Sequence, residues 1–227
     1  MITHAIFPTT ICEFDYDFPY KFKELFWPES MYYLKNGYSG EKTNVSLHTN
    51  PKFEELYKWI ISCSKQYMST LNVDDVFTFN VVKSFLNISR EKCNPLHSHK
   101  DAHISFIYYL NIPDEITHNI RFYNYENRHE PFHKCIQWNN SNEVWDILNS
   151  YTWQFTPNEG KLFIFPSNLI HDTIGFETNE CINNPVKDLE DLKKTRISLV
   201  GDILLTYKKN THNPLGIQPV ENWRTFE

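Results

Sequence analysis

Glycine is scarce in this chain, with six residues in 227. No glycine-rich phosphate loop is present and strands do not alternate with helices, which disfavours a doubly wound nucleotide-binding fold. Disulfide and zinc frameworks are missing as well. The five cysteines, Cys12, Cys63, Cys93, Cys135 and Cys181, are odd in number, widely spaced and without a CxxC pair. Reduced thiols in a cytoplasmic protein are the simplest expectation. No apolar run approaches the roughly 18 residues needed to span a bilayer. The N-terminal stretch, MITHAIFPTTICEFDYDFPY, carries acids and prolines where a secretory signal has a basic region and an apolar run. Basic charge is also lacking. The formal net charge of −6 argues against non-specific nucleic-acid binding through a broad basic face. It leaves a local recognition groove open. Internal repeats and low-complexity tracts are absent.

What the chain has is apolar and aromatic mass: 41% hydrophobic residues and 16% aromatic ones, enough for a real core. Its length suits one domain. We expect a single unit over residues 1–227, with helical support in 1–75, a sheet core in about 76–208 and a tail in 209–227. The N-terminal 50 residues are punctuated by prolines and aromatics. A short strand at 5–7, a short helix at 20–25 and a loop at 39–49 are expected there. Pro51 then suits a first helical turn. Phe53, Leu56, Ile60, Cys63, Tyr67 and Leu71 recur at three- and four-residue spacing, which predicts a supporting helix over 51–71.

From residue 76 the pattern turns to β-branched and aromatic residues. Strands are expected at 76–88, 104–112, 120–125, 151–155, 161–165, 171–176 and 196–207, with a turn at Pro157-Asn158-Glu159-Gly160. A polar turn at 89–94 leads into a histidine cluster. Residues 127–137, with His129 and His133, read as irregular, and 141–150 as a short helix. The polar stretch 177–195 is too long for an ordinary connector, so it is a candidate lid or substrate loop. Residues 210–227 read as coil, tied down by Trp223 and Phe226. Seven strands joined mostly by short turns, with helices gathered at the N-terminal side, predict a mainly β fold with flanking helices, a jelly roll.

The chemistry concentrates in PLHSHKDAHISFIYYL, residues 95–110. His97, His99, Asp101 and His103 occupy alternate positions, so in an extended chain all four face one side. Imidazole with carboxylate is the ligand set of non-haem iron sites. Further along, His171 follows the apolar unit GKLFIFPSNLI. Arg196 and Ser198 open the last strand, RISLVGDILL, two residues apart and so on one face. A guanidinium fork beside a hydroxyl suits one end of a carboxylate.

In that order, these segments resemble the 2-oxoglutarate/Fe(II)-dependent oxygenases, in particular the small bacterial and phage-type branch with a PHxH…S…YYL segment and a later G-x-L…FPS…H segment. The matching stretches here are PLHSHKDAHISFIYYL and GKLFIFPSNLIH. The resemblance covers about residues 77–207. It implies a double-stranded β-helix core, with Fe(II), 2-oxoglutarate and dioxygen as cofactor and cosubstrates and ascorbate as a stimulant. It also implies His99, Asp101 and His171 as metal ligands, with His97 in place of Asp101 as the alternate set. His103 is expected to be structural or to line the pocket. Arg196, Ser198 and Tyr109 would hold the far carboxylate of the oxo-acid.

The expected activity is oxidative decarboxylation of 2-oxoglutarate coupled to hydroxylation of a C–H bond in a small molecule or a peptide or protein side chain. A three-histidine cupin-type dioxygenase needing no oxo-acid and a metal-free jelly-roll binding module are the alternatives.

Overall fold

Two antiparallel sheets hold the strands of the computed structural model, which describes residues 9–17, 19–35, 46–89, 95–113, 119–123, 150, 152–174, 188–209, 211 and 216–226. The strands are β1 (Cys12–Asp15), β2 (Phe77–Ser89), β3 (Ile104–Asn111), β4 (Asn119–Tyr123), β5 (Thr152–Phe155), β6 (Lys161–Pro166), β7 (Ile170–Ile174) and β8 (Arg196–Tyr207). The large sheet runs β1-β6-β3-β8-β2 and the small one β5-β4-β7. An isolated bridge between His97 and His171 adds a short fourth rung to the small sheet, beside β7.

Chain order shows the architecture. From β2 in the large sheet the chain passes to the His97 rung in the small one and returns to β3. It then crosses to β4 and β5, back to β6, over to β7 and finally to β8. This alternation between two facing sheets makes a jelly roll, the double-stranded β-helix expected from the sequence.

Strand alternation separates the two faces of the large sheet. Leu86, Phe106, Tyr108, Leu162, Ile164, Leu199 and Ile203 point outward into a core shared with helix α1 (Pro19–Lys35) and helix α2 (Glu54–Thr70). The helices contribute Phe22, Phe26, Leu56, Ile60 and Tyr67 to that core. Ile107, Tyr109, Phe163, Phe165 and Val200 point inward and meet Ile120 and Phe122 of the small sheet. All eight residues of β3 are buried, because both of its faces are covered.

Several boundaries differ from expectation for physical reasons. Helix α1 is far longer than the short helix expected at 20–25 and runs through Pro28. Phe22, Phe26 and Ser30 recur every four residues on its buried face, while Pro28 lies on the exposed side, where the lost backbone hydrogen bond is solvated. Strand β1 was not expected, since CEFD is only four residues long; it is an edge strand paired to β6, alternating half-buried Cys12 and Phe14 with exposed Glu13 and Asp15. Residues 51–53 form a 3₁₀ turn capped by the Asn50 side chain, which accepts from Lys52 N–H. The turn before β6 is present, with Gly160 at φ 81° as a positive-φ turn requires.

Trp223 and Phe226 are 52% and 79% exposed, so they do not tie the tail down; among the described residues of the tail there is a 3₁₀ turn at Val220–Asn222. The expected strand at 5–7, the loop with His129 and His133 and nearly all of the helix at 141–150 lie outside the described residues, as does most of 177–195. The described end of that last stretch is helix α3 (Leu189–Lys193), capped by Asp188, which accepts from Asp191 N–H. Leu192 is fully buried, and the Asn111 side chain donates to the carbonyls of Lys193 and Thr195. This end is a packed anchor.

Candidate metal centre

His97 and His171 lie directly opposite each other and exchange both backbone hydrogen bonds, His97 N to His171 O at 3.0 Å and His171 N to His97 O at 2.9 Å. His99, two residues on, shares the face of His97, and its N–H donates to Ser167 O at 2.8 Å. One ligating nitrogen from each of His97, His99 and His171 lies within 4.8 Å of the other two.

The hydrogen bonds fix which nitrogens these are. His97 Nδ1 is 2.7 Å from Pro95 O and His171 Nδ1 is 2.8 Å from Leu169 O. A carbonyl can only accept, so in both rings Nδ1 carries a proton, and in the neutral form the lone pair is on Nε2. His99 Nδ1 is 2.6 Å from Asp202 Oδ1, with the same consequence. In the neutral rings the Nε2 lone pairs are the ones available to a metal, and the neutral form is the one that metal binding needs. Burial reinforces this at His171, whose pKa is depressed to about 4, chiefly by desolvation, with the neighbouring histidines adding to the effect.

Asp101 does not join them. The chain bends at Lys100 and Asp101, which ends the extended geometry after His99, and the Asp101 side chain is exposed. The bend is fastened by Ser167 Oγ, which donates to Ala102 O. Among the described residues the three grouped are His97, His99 and His171, the alternate set, and Asp101 lies outside them. His103 is also exposed and outside the group; its Nδ1 accepts from Leu205 N–H at 3.1 Å.

Asp202, on β8, was not singled out from the sequence. It is buried and accepts from Ser105 Oγ at 2.7 Å as well as from His99. Its desolvation works to raise its pKa, but the His99 and Ser105 hydrogen bonds outweigh this and lower it, so it stays a carboxylate. The available signal was a lone acid in an apolar strand, in step with Arg196, Ser198 and Val200.

Strand registers lay out the rest of the inner face. Lys83, Asp202, Ser105 and Phe165 form one cross-strand row at the metal end. Phe85, Val200, Ile107 and Phe163 form the next, and Asn87, Ser198 and Tyr109 the one after it. Arg196 follows, 1% exposed. Four strand residues, about 13 Å, separate Asp202 from Ser198. The face is thus polar at both ends and apolar between them.

The Tyr109 hydroxyl is buried without a hydrogen-bond partner among the described residues. Burial pushes its pKa up to about 12, while the neighbouring Arg196 charge pulls the other way. A neutral phenol donor beside a guanidinium and a hydroxyl suits an incoming carboxylate. The structure brings Tyr109, Ser198 and Arg196 to one end of the face and the histidines to the other.

Comparison with known proteins agrees with this chemistry. Residues 84–181, fewer than half of the chain, match the family model described as "Putative 2OG-Fe(II) oxygenase". That stretch is therefore similar to a family whose description names Fe(II) and 2-oxoglutarate. No curated protein matches the sequence. Among solved structures, a Pseudomonas putida prolyl-4-hydroxylase is similar at 10% identity and a TM-score of 0.48, over 86% of this chain and 88% of that one. A likeness this loose carries neither a substrate nor a residue role across. No helix among the described residues is long and apolar enough to cross a membrane.

Proposed function

We propose that this protein is an Fe(II)- and 2-oxoglutarate-dependent oxygenase that hydroxylates a substrate C–H bond. Its metal would be held by His97, His99 and His171, and the far carboxylate of its cosubstrate by Arg196, Ser198 and Tyr109. When bound, the iron with dioxygen and 2-oxoglutarate supplies the oxidising chemistry: one oxygen atom ends in succinate as carbon dioxide leaves, and the other in the hydroxylated product. The protein's part is positioning. Three fixed imidazoles would hold the metal and leave it room for the cosubstrates. Arg196 and Ser198 set the reach of the oxo-acid, and the Phe85, Val200, Ile107 and Phe163 row dries its methylene portion.

The observation that carries this reading is that His97, His99 and His171 group at one end of the inner face while Tyr109, Ser198 and Arg196 lie toward the other. The substrate class is a small molecule or a peptide or protein side chain. The cysteine pattern favours the cytoplasm. Succinate formation from 2-oxoglutarate by purified protein with Fe(II) and ascorbate tests the reading. Its absence, together with absent oxo-acid binding, counts against it.

A second reading has one observation in its favour, the lack of a carboxylate among the three grouped residues. A three-histidine dioxygenase of cupin type would use the same metal site and ignore 2-oxoglutarate. Oxygen consumption that is unchanged by omitting 2-oxoglutarate would favour it.

A further inference from the structure

We propose that Asp202 is the positioning residue of the metal site, supplying through His99 the negative charge that no direct ligand provides. The inference rests on the three-histidine reading above.

A metal held by three neutral imidazoles keeps its full double charge in a partly buried site, which is costly unless an anion lies near. Exposed Asp101 is not that anion. Asp202 is 5% exposed on β8 and points to the same inner face. Its Oδ1 is 2.6 Å from His99 Nδ1 and 2.7 Å from Ser105 Oγ, and Ser105 Oγ is itself 3.0 Å from His99 Nδ1. These three side chains close a triangle around the ring nitrogen that faces away from the metal point. Among the described residues the cation beside the carboxylate is Lys83, whose Nζ is 3.8 Å from Oδ2 and whose side chain is 45% exposed. A contact that long and that wet leaves most of the Asp202 charge directed at His99.

Two effects follow. The carboxylate holds His99 in the tautomer that keeps Nε2 unprotonated, and it fixes the ring's orientation. It also makes the imidazole a more basic ligand, as an outer carboxylate does for a metal-bound histidine. His97 and His171 rely on backbone carbonyls for the same task. Of the three ligands, His99 alone is charge-assisted.

The test is Co(II) titration of the full chain, followed by visible absorption, for wild type, Asp202→Asn, Ser105→Ala and His171→Ala. Asparagine keeps an acceptor oxygen and nearly the same volume but removes the charge. The expected result is a loss of Co(II) affinity of about 10- to 100-fold in Asp202→Asn, with an altered absorption envelope. Ser105→Ala, which leaves the carboxylate in place, should lose less than about fivefold.

Thermal unfolding of the metal-free proteins gives a readout independent of metal. Metal-free Asp202→Asn should still unfold cooperatively but somewhat earlier than wild type, because the lowered pKa of Asp202 means that its hydrogen-bonded charge stabilises the fold. Wild-type affinity retained in Asp202→Asn overturns the proposal, and so does an equal loss in Ser105→Ala. If wild type binds Co(II) no better than His171→Ala, it is the underlying metal reading that fails.

Discussion

His97 sits directly across from His171, and the two residues exchange both of their backbone hydrogen bonds, at 3.0 and 2.9 Å. Residues placed opposite each other in this way carry their side chains on the same face of the sheet at close range. The ring centroids are 4.3 Å apart. The pairing therefore builds two of the three grouped imidazoles by backbone register alone, and His99 follows from the same extended segment.

Removal of His97 should cost far more metal than removal of Asp101. His97→Ala is expected to lower Fe(II) or Co(II) affinity by at least about a hundredfold, more than the loss of an outer partner. Asp101→Ala should leave it unchanged, since that carboxylate is exposed and outside the group. Equilibrium dialysis with metal analysis reads both variants.

That contrast also marks how far the sequence could be read. Two-residue alternation places His97 and His99 together, because residues 97–99 are extended. It does not carry on to Asp101, because the bend at 100–101 is fastened by Ser167, a residue 66 positions from Asp101 along the chain that no local pattern reveals. Strand β8 was legible to its ends, since RISLVGDILLTY is continuously strand-forming and buried. Strand β1 was not, because an edge strand can be only four residues long. Asp202 was visible as an acid in an apolar strand, but its value depends on His99, 103 residues away.

At the other end of the inner face, Arg196→Ala should weaken 2-oxoglutarate binding by about 10- to 100-fold, the worth of a charged hydrogen bond. Metal content should be intact. Tyr109→Phe should weaken oxo-acid binding by about fivefold, the worth of a neutral hydrogen bond. Isothermal titration calorimetry of the metal-loaded protein measures both; unchanged oxo-acid affinity in Arg196→Ala would remove that residue from the site.

Gly201 is required by packing. A Cβ there would lie 2.3 Å from Phe106 Cζ, 2.6 Å from its Cε1 and 2.8 Å from the Lys83 carbonyl oxygen. The ring is fully buried and the carbonyl is backbone, so neither yields cheaply. Gly201→Ala is expected to destabilise by about 1–3 kcal/mol, measured as a lowered urea midpoint.

Ser84 ties the 3₁₀ turn at Leu47–Thr49 and helix α2 to strand β2. Its buried Oγ accepts from His48 N–H at 2.8 Å and from the Tyr57 hydroxyl at 2.8 Å, and it lies 3.0 Å from His48 Nδ1. Ser84→Ala strips those donors of their acceptor and should cost about 1–3 kcal/mol. The outer face carries this junction, so metal affinity should not change; a metal-binding defect in the folded variant would contradict the separation of the two faces.

The most direct test is an anaerobic titration of the wild-type protein with Fe(II) and 2-oxoglutarate, followed by visible absorption. A charge-transfer band that develops only when both are present, and saturates at one oxo-acid per iron, is the predicted result. A folded protein that binds iron but shows no band at saturating 2-oxoglutarate would contradict the shared site at which the three histidines and the Arg196 end of the inner face meet one cosubstrate.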